Sequence, residues 1–541
     1  MRFSCLAVAT LSLLSIASFL GCSSSSEDDG ADDALTSRTA LERKLAFEGV
    51  VYVAPGTANE AIVARAENQA KTAFGALRTS GMMASTREMH AVDPATFKTR
   101  EVRVVDAKTP DAPGDPMLEV RYTYTDQVLV EEKAKNRTSY SLAVLSPDWE
   151  SDLEKPTAAC VDKEREDRQD SRDGFLWYYF NPTLDSCRAA MKTEQAAIDR
   201  DKAKLEKAKP AVTDAATPAP SSAPARIPKS QVTRRYYPTN VALETVATHE
   251  GATYPEYDKL FRGGVEANKL KIGVLVGRLE HEFVPADEDG GYWEWLSTLD
   301  TLFTDQKGFT LKSIEPQEDL ANLVAGQKTF QNLTFNDYIG WTLYDRYPTN
   351  LNSAQKKAVR VAGGAKLDKH FLTFEKKVKV AIGNEAPRDF VIQLNTYFGV
   401  ETDVSVYKRM MKTNDVFVYN GHSYLGDGPL DPSNFTASDF PSSYQLWFLD
   451  GCISYNYYNH DYFPLKGGAA NLDLILNGFE APADYGGQAE AKLLARLISG
   501  KQPSYKQLLL AAQKTDPLRV VDGESDNKFS PTKTKIVVTS P

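Results

Sequence analysis

Four short runs in the C-terminal half are almost wholly apolar: KIGVLVG (271–277), VFVY (416–419), YQLWFL (444–449) and LDLIL (472–476). A strand with one wet face alternates apolar and polar residues. A run without alternation is covered on both faces, as in a parallel sheet between helices. Helix-patterned segments lie among them. One is YWEWLSTLDTLF, and another has Val404, Tyr407 and Met411 on one face behind a Thr402 cap. QAEAKLLARLIS puts Leu493, Leu494, Leu497 and Ile498 on one face and is closed by Gly500, and Ser504 opens SYKQLLLAAQK. KVKVAI and FVIQL read as strands around the turn GNEAPRD, and residues 315 to 365 read as a mostly helical insertion. The alternation predicts an α/β layered domain with a largely parallel sheet over 231–541.

Upstream the pattern changes. EGVVYVAPG reads as a strand ending in a turn, and NEAIVARAENQAKTAFGAL has helical spacing from Ile62 to Leu77. LEVRYTYT alternates Val120, Tyr122 and Tyr124 with polar residues, and SYSLAVL is a further strand. These elements predict a smaller α+β domain over 46–190. A charged helix follows, and then Pro210, Pro218, Pro220, Pro224 and Pro228 fall close together. Proline at that density forbids a helix, so 191–230 reads as a charged helix and a Pro/Ala-rich linker.

The first 21 residues carry Arg2, an apolar stretch from Leu6 to Leu20, and Gly21. The stretch is too short to span a bilayer and has the form of an export signal. Phe19-Leu20-Gly21-Cys22 resembles a bacterial lipobox, which implies lipid attachment at Cys22 and an anchor in the cell envelope, at the outer membrane or in the periplasm. Residues 22–45 read as a flexible tether. The net charge of −10 argues against a nucleic-acid partner, since a phosphate-binding surface needs clustered Lys and Arg.

Cysteines narrow the chemistry. Cys5 leaves with the signal and Cys22 is the lipid position. Cys160 and Cys187 would pair in an oxidising compartment, closing a loop worth about 3 kcal/mol in the chain-entropy model. Cys452 is left over, and an odd thiol in an exported chain is either reactive or buried. It follows the run YQLWFLDG, just as His422 follows VFVYNG. Reactive groups of open parallel sheets collect past the carboxyl ends of strands, so neighbouring parallel strands would bring this pair to one edge. A thiolate attacks, an imidazole takes and returns the proton, and two backbone N–H groups hold the oxyanion.

A buried strand ending in Gly421-His422, followed by one ending in Gly451-Cys452, resembles the caspase-like cysteine peptidases, the clan of gingipains, legumain and clostripain. The histidine comes first, 30 residues before the cysteine (452 − 422). The resemblance covers 390–500 and extends toward 265–541. It implies a His422/Cys452 dyad, an oxyanion hole from the N–H groups of Ser423 and Cys452, a polypeptide substrate and no cofactor. Ser423 departs from the glycine usual after the histidine, and Asp450 is unusual before the Gly-Cys pair. The competing expectation is a non-catalytic binding or scaffold lipoprotein on a degenerate peptidase fold.

Other candidates rank below the pair. His460 reads as a loop residue, Asp427 and Asp450 as loop acids able to orient an imidazole, and Tyr455, Tyr457, Tyr458 and Tyr462 as core aromatics or groove walls. Leu279-Glu280-His281-Glu282 lacks the second histidine of a zinc motif, and ADEDGG (286–291) lacks the ligand alternation of a calcium loop, so no metal is expected.

Overall fold

A computed structural model describes residues 35–208, 224–246, 252–318, 334–347, 351–399, 402–482, 489–512 and 516–541. The signal 1–21, Cys22, the tether up to residue 34 and linker residues 209–223 lie outside the described residues. From residue 35 onward the chain is mixed α/β, built on two mixed sheets within one compact unit.

Strand β1 (Thr36–Ser37) leads into a seven-stranded sheet made of β2 (Ala40–Val53), β3 (Met82–Ala84), β4 (Lys98–Val105), β5 (Asp115–Glu131), β6 (Ser139–Leu145), β7 (Ala225–Pro228) and β8 (Tyr236–Thr245). Its order is β6-β8-β2-β5-β4-β7, with β3 added on β5. Alternation sends Leu45, Phe47 and Val51 of β2 and Val120, Tyr122 and Tyr124 of β5 into the core, beneath Ile62, Ala66 and Ala70 of helix Asn59–Lys71. The Cys160–Cys187 disulfide ties helix Glu154–Cys160 to the start of helix Asp185–Lys207, with both cysteines buried.

Two sequence boundaries move. Residues 36–37 and 40–45 are strand rather than tether. The alternation was hidden because Arg43 occupies a core-facing position of β2; it is buried, and its guanidinium donates to the carbonyls of Glu42 and Lys135 at 2.7 and 3.1 Å. Second, β7 and β8 return after the proline-rich segment to the first sheet, so 224–246 belongs with the N-terminal region. Pro238 lies inside β8 opposite Ala143, where a proline signals a break to a reader of sequence alone.

The second sheet has ten strands. Besides β1 it contains β9 (Lys269–Gly277), β10 (Thr310–Glu315), β11 (His370–Ile382), β12 (Arg388–Gly399), β13 (Val416–Asn420), β14 (Gln445–Asp450), β15 (Leu472–Asn477), β16 (Arg519–Asp522) and β17 (Ile536–Thr539). The order is β1-β16-β15-β14-β13-β9-β12-β11-β10, with β17 on β11. Parallel pairing is confined to the middle, β12-β9-β13-β14-β15, while both flanks are antiparallel. Four of these five strands carry the apolar runs; the fifth, β12, alternates along much of its length and pairs parallel with β9 on one side and antiparallel with β11 on the other.

Those runs are covered on both faces. Val416, Val418, Leu446, Phe448 and Ile475 pack with Trp295 and Leu299 of helix Gly290–Asp305 and with Leu493, Leu494 and Leu508. The alternate residues Phe417, Tyr419, Trp447, Leu449 and Leu474 join a core shared with helix Val404–Thr413, helix Ser454–Tyr458 and the seven-stranded sheet. One hydrophobic core therefore runs from the N-terminal region to the underside of the second sheet. Asp403, not Thr402, caps helix Val404–Thr413. Helices Phe335–Tyr344 and Ser353–Leu367 occupy the described part of the expected insertion. Among the described residues no helix is long and apolar enough to cross a membrane.

Candidate functional site

Strands β13 and β14 are parallel neighbours in a register that sets Asn420 beside Asp450, the last residue of each. His422 and Cys452 both lie two residues beyond that aligned pair, at the same edge of the sheet. The connections touch. A Cβ built on Gly451 would lie 3.3 Å from the carbonyl oxygen of Gly421 and 3.6 Å from Cβ of Ser423. Gly451 lets the two chains approach this closely.

The backbone beyond each strand end is strained. Ile453, directly after Cys452, has φ 54°, and Tyr424 and Leu425, just after His422, have φ 51° and 52°. A β-branched residue in the left-handed region is a true outlier, held only by its surroundings. For Ile453 these are full burial and an N–H bond to the carbonyl of Phe479 at 3.0 Å. Side chains fix the carbonyls on either side: Tyr419 Oη donates to His422 O at 2.8 Å, Tyr458 Oη to Ser423 O at 2.9 Å, and Asn477 Nδ2 to Gly451 O at 3.1 Å.

The imidazole of His422 is oriented from the loop after β9. Its Nε2 lies 2.9 Å from the carbonyl oxygen of Leu279. A carbonyl only accepts, so Nε2 carries a hydrogen, and the tautomer this selects has its lone pair on Nδ1. Asp289 fixes that loop, accepting from the N–H groups of Leu279 and Glu280, both at 3.0 Å, and from Gly291 at 2.8 Å. The ring of His281 stacks on His422 with centroids 5.2 Å apart, and Tyr424 Oη lies 3.3 Å from His281 Nδ1. Phe283, 88% exposed, stands edge-on to His281 at 6.1 Å and forms an aromatic lip.

Cys452 is half-buried. Its Sγ lies 3.9 Å from the carbonyl oxygen of Ala481. Burial pushes the thiol above its ordinary range; Glu480 and Asp450 push the same way, while the Ala481 contact and Arg78 oppose them. Arg78 comes from the N-terminal region. Its guanidinium pairs with Glu480 and lies 4.4 Å over the ring of Tyr178. Arg87 of the same region reaches Asp427 at 2.7 Å and Asp431 at 3.4 Å, and Asn456 Nδ2 donates to the carbonyls of Ala84 and Thr86. The N-terminal region thus forms one wall of the site.

The remaining candidates take structural places. Asp450 is buried against Arg519, Asp427 pairs with Arg87, and His460 Nδ1 faces Asp522 at 4.0 Å. Tyr455, Tyr457, Tyr458 and Tyr462 are core residues rather than groove walls. Among the described residues no group of His, Cys, Asp and Glu is arranged to hold a metal ion. Sequence reasoning missed Leu279, His281 and Arg78. A carbonyl carries no side-chain signature, and the sequence around His281 has no zinc spacing to mark it. Its place past the end of an apolar strand was the available signal.

No family model matches this chain, and neither a curated protein nor a solved structure does.

Proposed function

We propose that the chain is a cysteine endopeptidase of caspase-like layering, exported to the bacterial envelope and held there by a lipid on Cys22. Cys452 is the nucleophile and His422 the acid/base. The observation that carries the reading is the matched position of the two residues, each two steps past a paired residue on adjacent parallel strands. The Leu279 carbonyl adds to it by turning Nδ1 of His422 into the basic nitrogen.

In the reaction, the Cys452 S–H proton passes to Nδ1 as sulfur attacks the scissile carbonyl. The N–H groups of Ser423 and Cys452 hold the oxyanion. The C–N bond breaks and the imidazolium gives its proton to the leaving amine. Water then cleaves the thioester with His422 as base, and the proton returns to sulfur. A half-buried thiol whose pKa is raised is protonated at rest, so proton removal is coupled to attack.

That raised thiol also supports a second reading, a non-catalytic binding module with an inert Cys452. Incubation of the wild-type chain and Cys452→Ala with a broad peptide library separates the two. Cleavage lost in the variant supports the peptidase; cleavage that persists refutes it, and no cleavage by either chain favours the binding module.

A further inference from the structure

The loop between β9 and helix Gly290–Asp305 carries an aromatic group that the proposed chemistry leaves unused. The loop is braced from within. Arg278, 5% exposed, lies at its start and donates from its guanidinium to the carbonyl of Val284, which closes the segment on itself. The same guanidinium lies 3.5 Å from carboxylate oxygens of Asp289 and Asp368. Glu280 accepts from the N–H of Gly290 at 2.7 Å, and Glu282 pairs with Lys369 at 2.8 Å. The N–H of Phe283 donates to the carbonyl of Glu280 at 3.2 Å. His281 takes φ 53°, a left-handed conformation that histidine adopts more readily than most residues. These contacts hold Glu280 and Glu282 to the protein and fix the shape of the tip.

Phe283 stands at that tip, 88% exposed; the next most exposed large apolar side chain among the described residues is Leu510 at 57%. A lone apolar side chain in water is ordinary. This one differs because its ring leads directly to the proposed base. Phe283 meets His281 edge-on at 6.1 Å, and His281 lies over His422 at 5.2 Å with 29° between the planes. Tyr424 completes the group, its ring 5.9 Å from that of His281 and 5.8 Å from that of His422. The four rings are in contact from the base out to solvent, on a loop whose order does not have to be gained on binding.

The chemistry fixes which part of a substrate meets them. Sulfur of Cys452 attacks the scissile carbon, and His422 protonates the scissile nitrogen. The substrate therefore runs from Cys452 toward His422, and the residues following the nitrogen pass the loop that covers His422. Held, exposed aromatic rings bind apolar side chains by burying area and aromatic ones also by edge-to-face contact. We propose that Phe283 and His281 form a subsite for a large apolar side chain, aromatic above all, at the first or second residue after the scissile bond.

The inference rests on the reading of His422 and Cys452 as a peptidase pair, so its test reads the thiol separately from hydrolysis. Two alanyl-peptide vinyl sulfones are compared that differ only in the group on sulfur, phenyl or methyl, which occupies the leaving side. The Cys452 thiol adds across the double bond and the neighbouring carbon takes a proton, with no bond to hydrolyse. Labelling of Cys452 is followed by mass spectrometry in full-length wild type, Phe283→Ser and Phe283→Tyr, each rate divided by that of glutathione with the same reagent. Wild type is expected to favour the phenyl reagent about fivefold or more, Phe283→Tyr to keep most of that preference, and Phe283→Ser to fall within about twofold. A wild-type ratio near one overturns the proposal, as does an equal preference in wild type and Phe283→Ser, or no labelling by either reagent. Cleavage of the peptide library decides the peptidase reading separately: a phenyl preference lost in Phe283→Ser supports the subsite even where wild type cleaves nothing.

Discussion

Arg519→Met tests how the floor of the site is held. Arg519 is 4% exposed, and its Nη2 lies 3.2 and 3.1 Å from the two oxygens of Asp450. Nη1 donates to Ala512 O at 3.2 Å, and the guanidinium lies 5.2 Å over the ring of Phe448. Methionine keeps the aliphatic bulk and leaves Asp450 charged without this partner. Removing one partner of a buried pair costs about 3–5 kcal/mol, and the carbonyl bond adds about 1 kcal/mol. The loss is a large part of a folding free energy of roughly 5–15 kcal/mol. Urea unfolding followed by tryptophan fluorescence and circular dichroism measures it, with coincident transitions as the check on two-state behaviour. Adding Asp450→Asn removes the stranded charge and should recover about half of the loss. A single change costing less than about 1 kcal/mol, or a double variant no better than the single, would refute the reasoning.

Three further outcomes follow from the structure. Cys160→Ser opens the disulfide and should cost about 3 kcal/mol, read as a lower melting temperature that reductant reproduces in wild type but does not lower further in the variant. Burial pushes Asp473 up to about 7 and Glu524 up to about 8. Because the folded chain holds these protons more tightly than the unfolded one, their stabilisation is full below about pH 4 and falls as pH rises toward about 8; urea midpoints should decline over that window, less steeply in Glu524→Gln. Arg78 opposes the rise of the Cys452 thiol and Glu480 promotes it. Arg78→Ala should therefore move the midpoint of the pH–alkylation curve of Cys452 upward and Glu480→Gln downward.

Four strands of the parallel centre, β9, β13, β14 and β15, were legible because they are apolar without alternation, as strands covered on both faces are; β12 alternates and carries no such mark. The edge position of His422 and Cys452 followed from that, since each sits just past such a run. The membership of β7 and β8 in the first sheet was not legible. Pairing between residues 36–245 and across 209–223 is long-range, and Pro238 and Arg43 break the local patterns that would have marked β8 and β2. The flanks of the second sheet were misread for a related reason: nothing within β11, β16 or β17 states which way a partner runs. At the site, the positioning groups come from other parts of the chain. Leu279 and Asp289 follow β9, and Arg78 belongs to the N-terminal region. Each acts through a contact far away in sequence.

The central claim is that His422 and Cys452 react as one unit. Its most direct test is the rate at which a peptide-derived thiol electrophile labels Cys452 in wild type and in His422→Ala at neutral pH. With the imidazole as base, labelling should fall about 100-fold or more in the variant while melting temperature stays near that of wild type. Equal labelling of the two chains would contradict it.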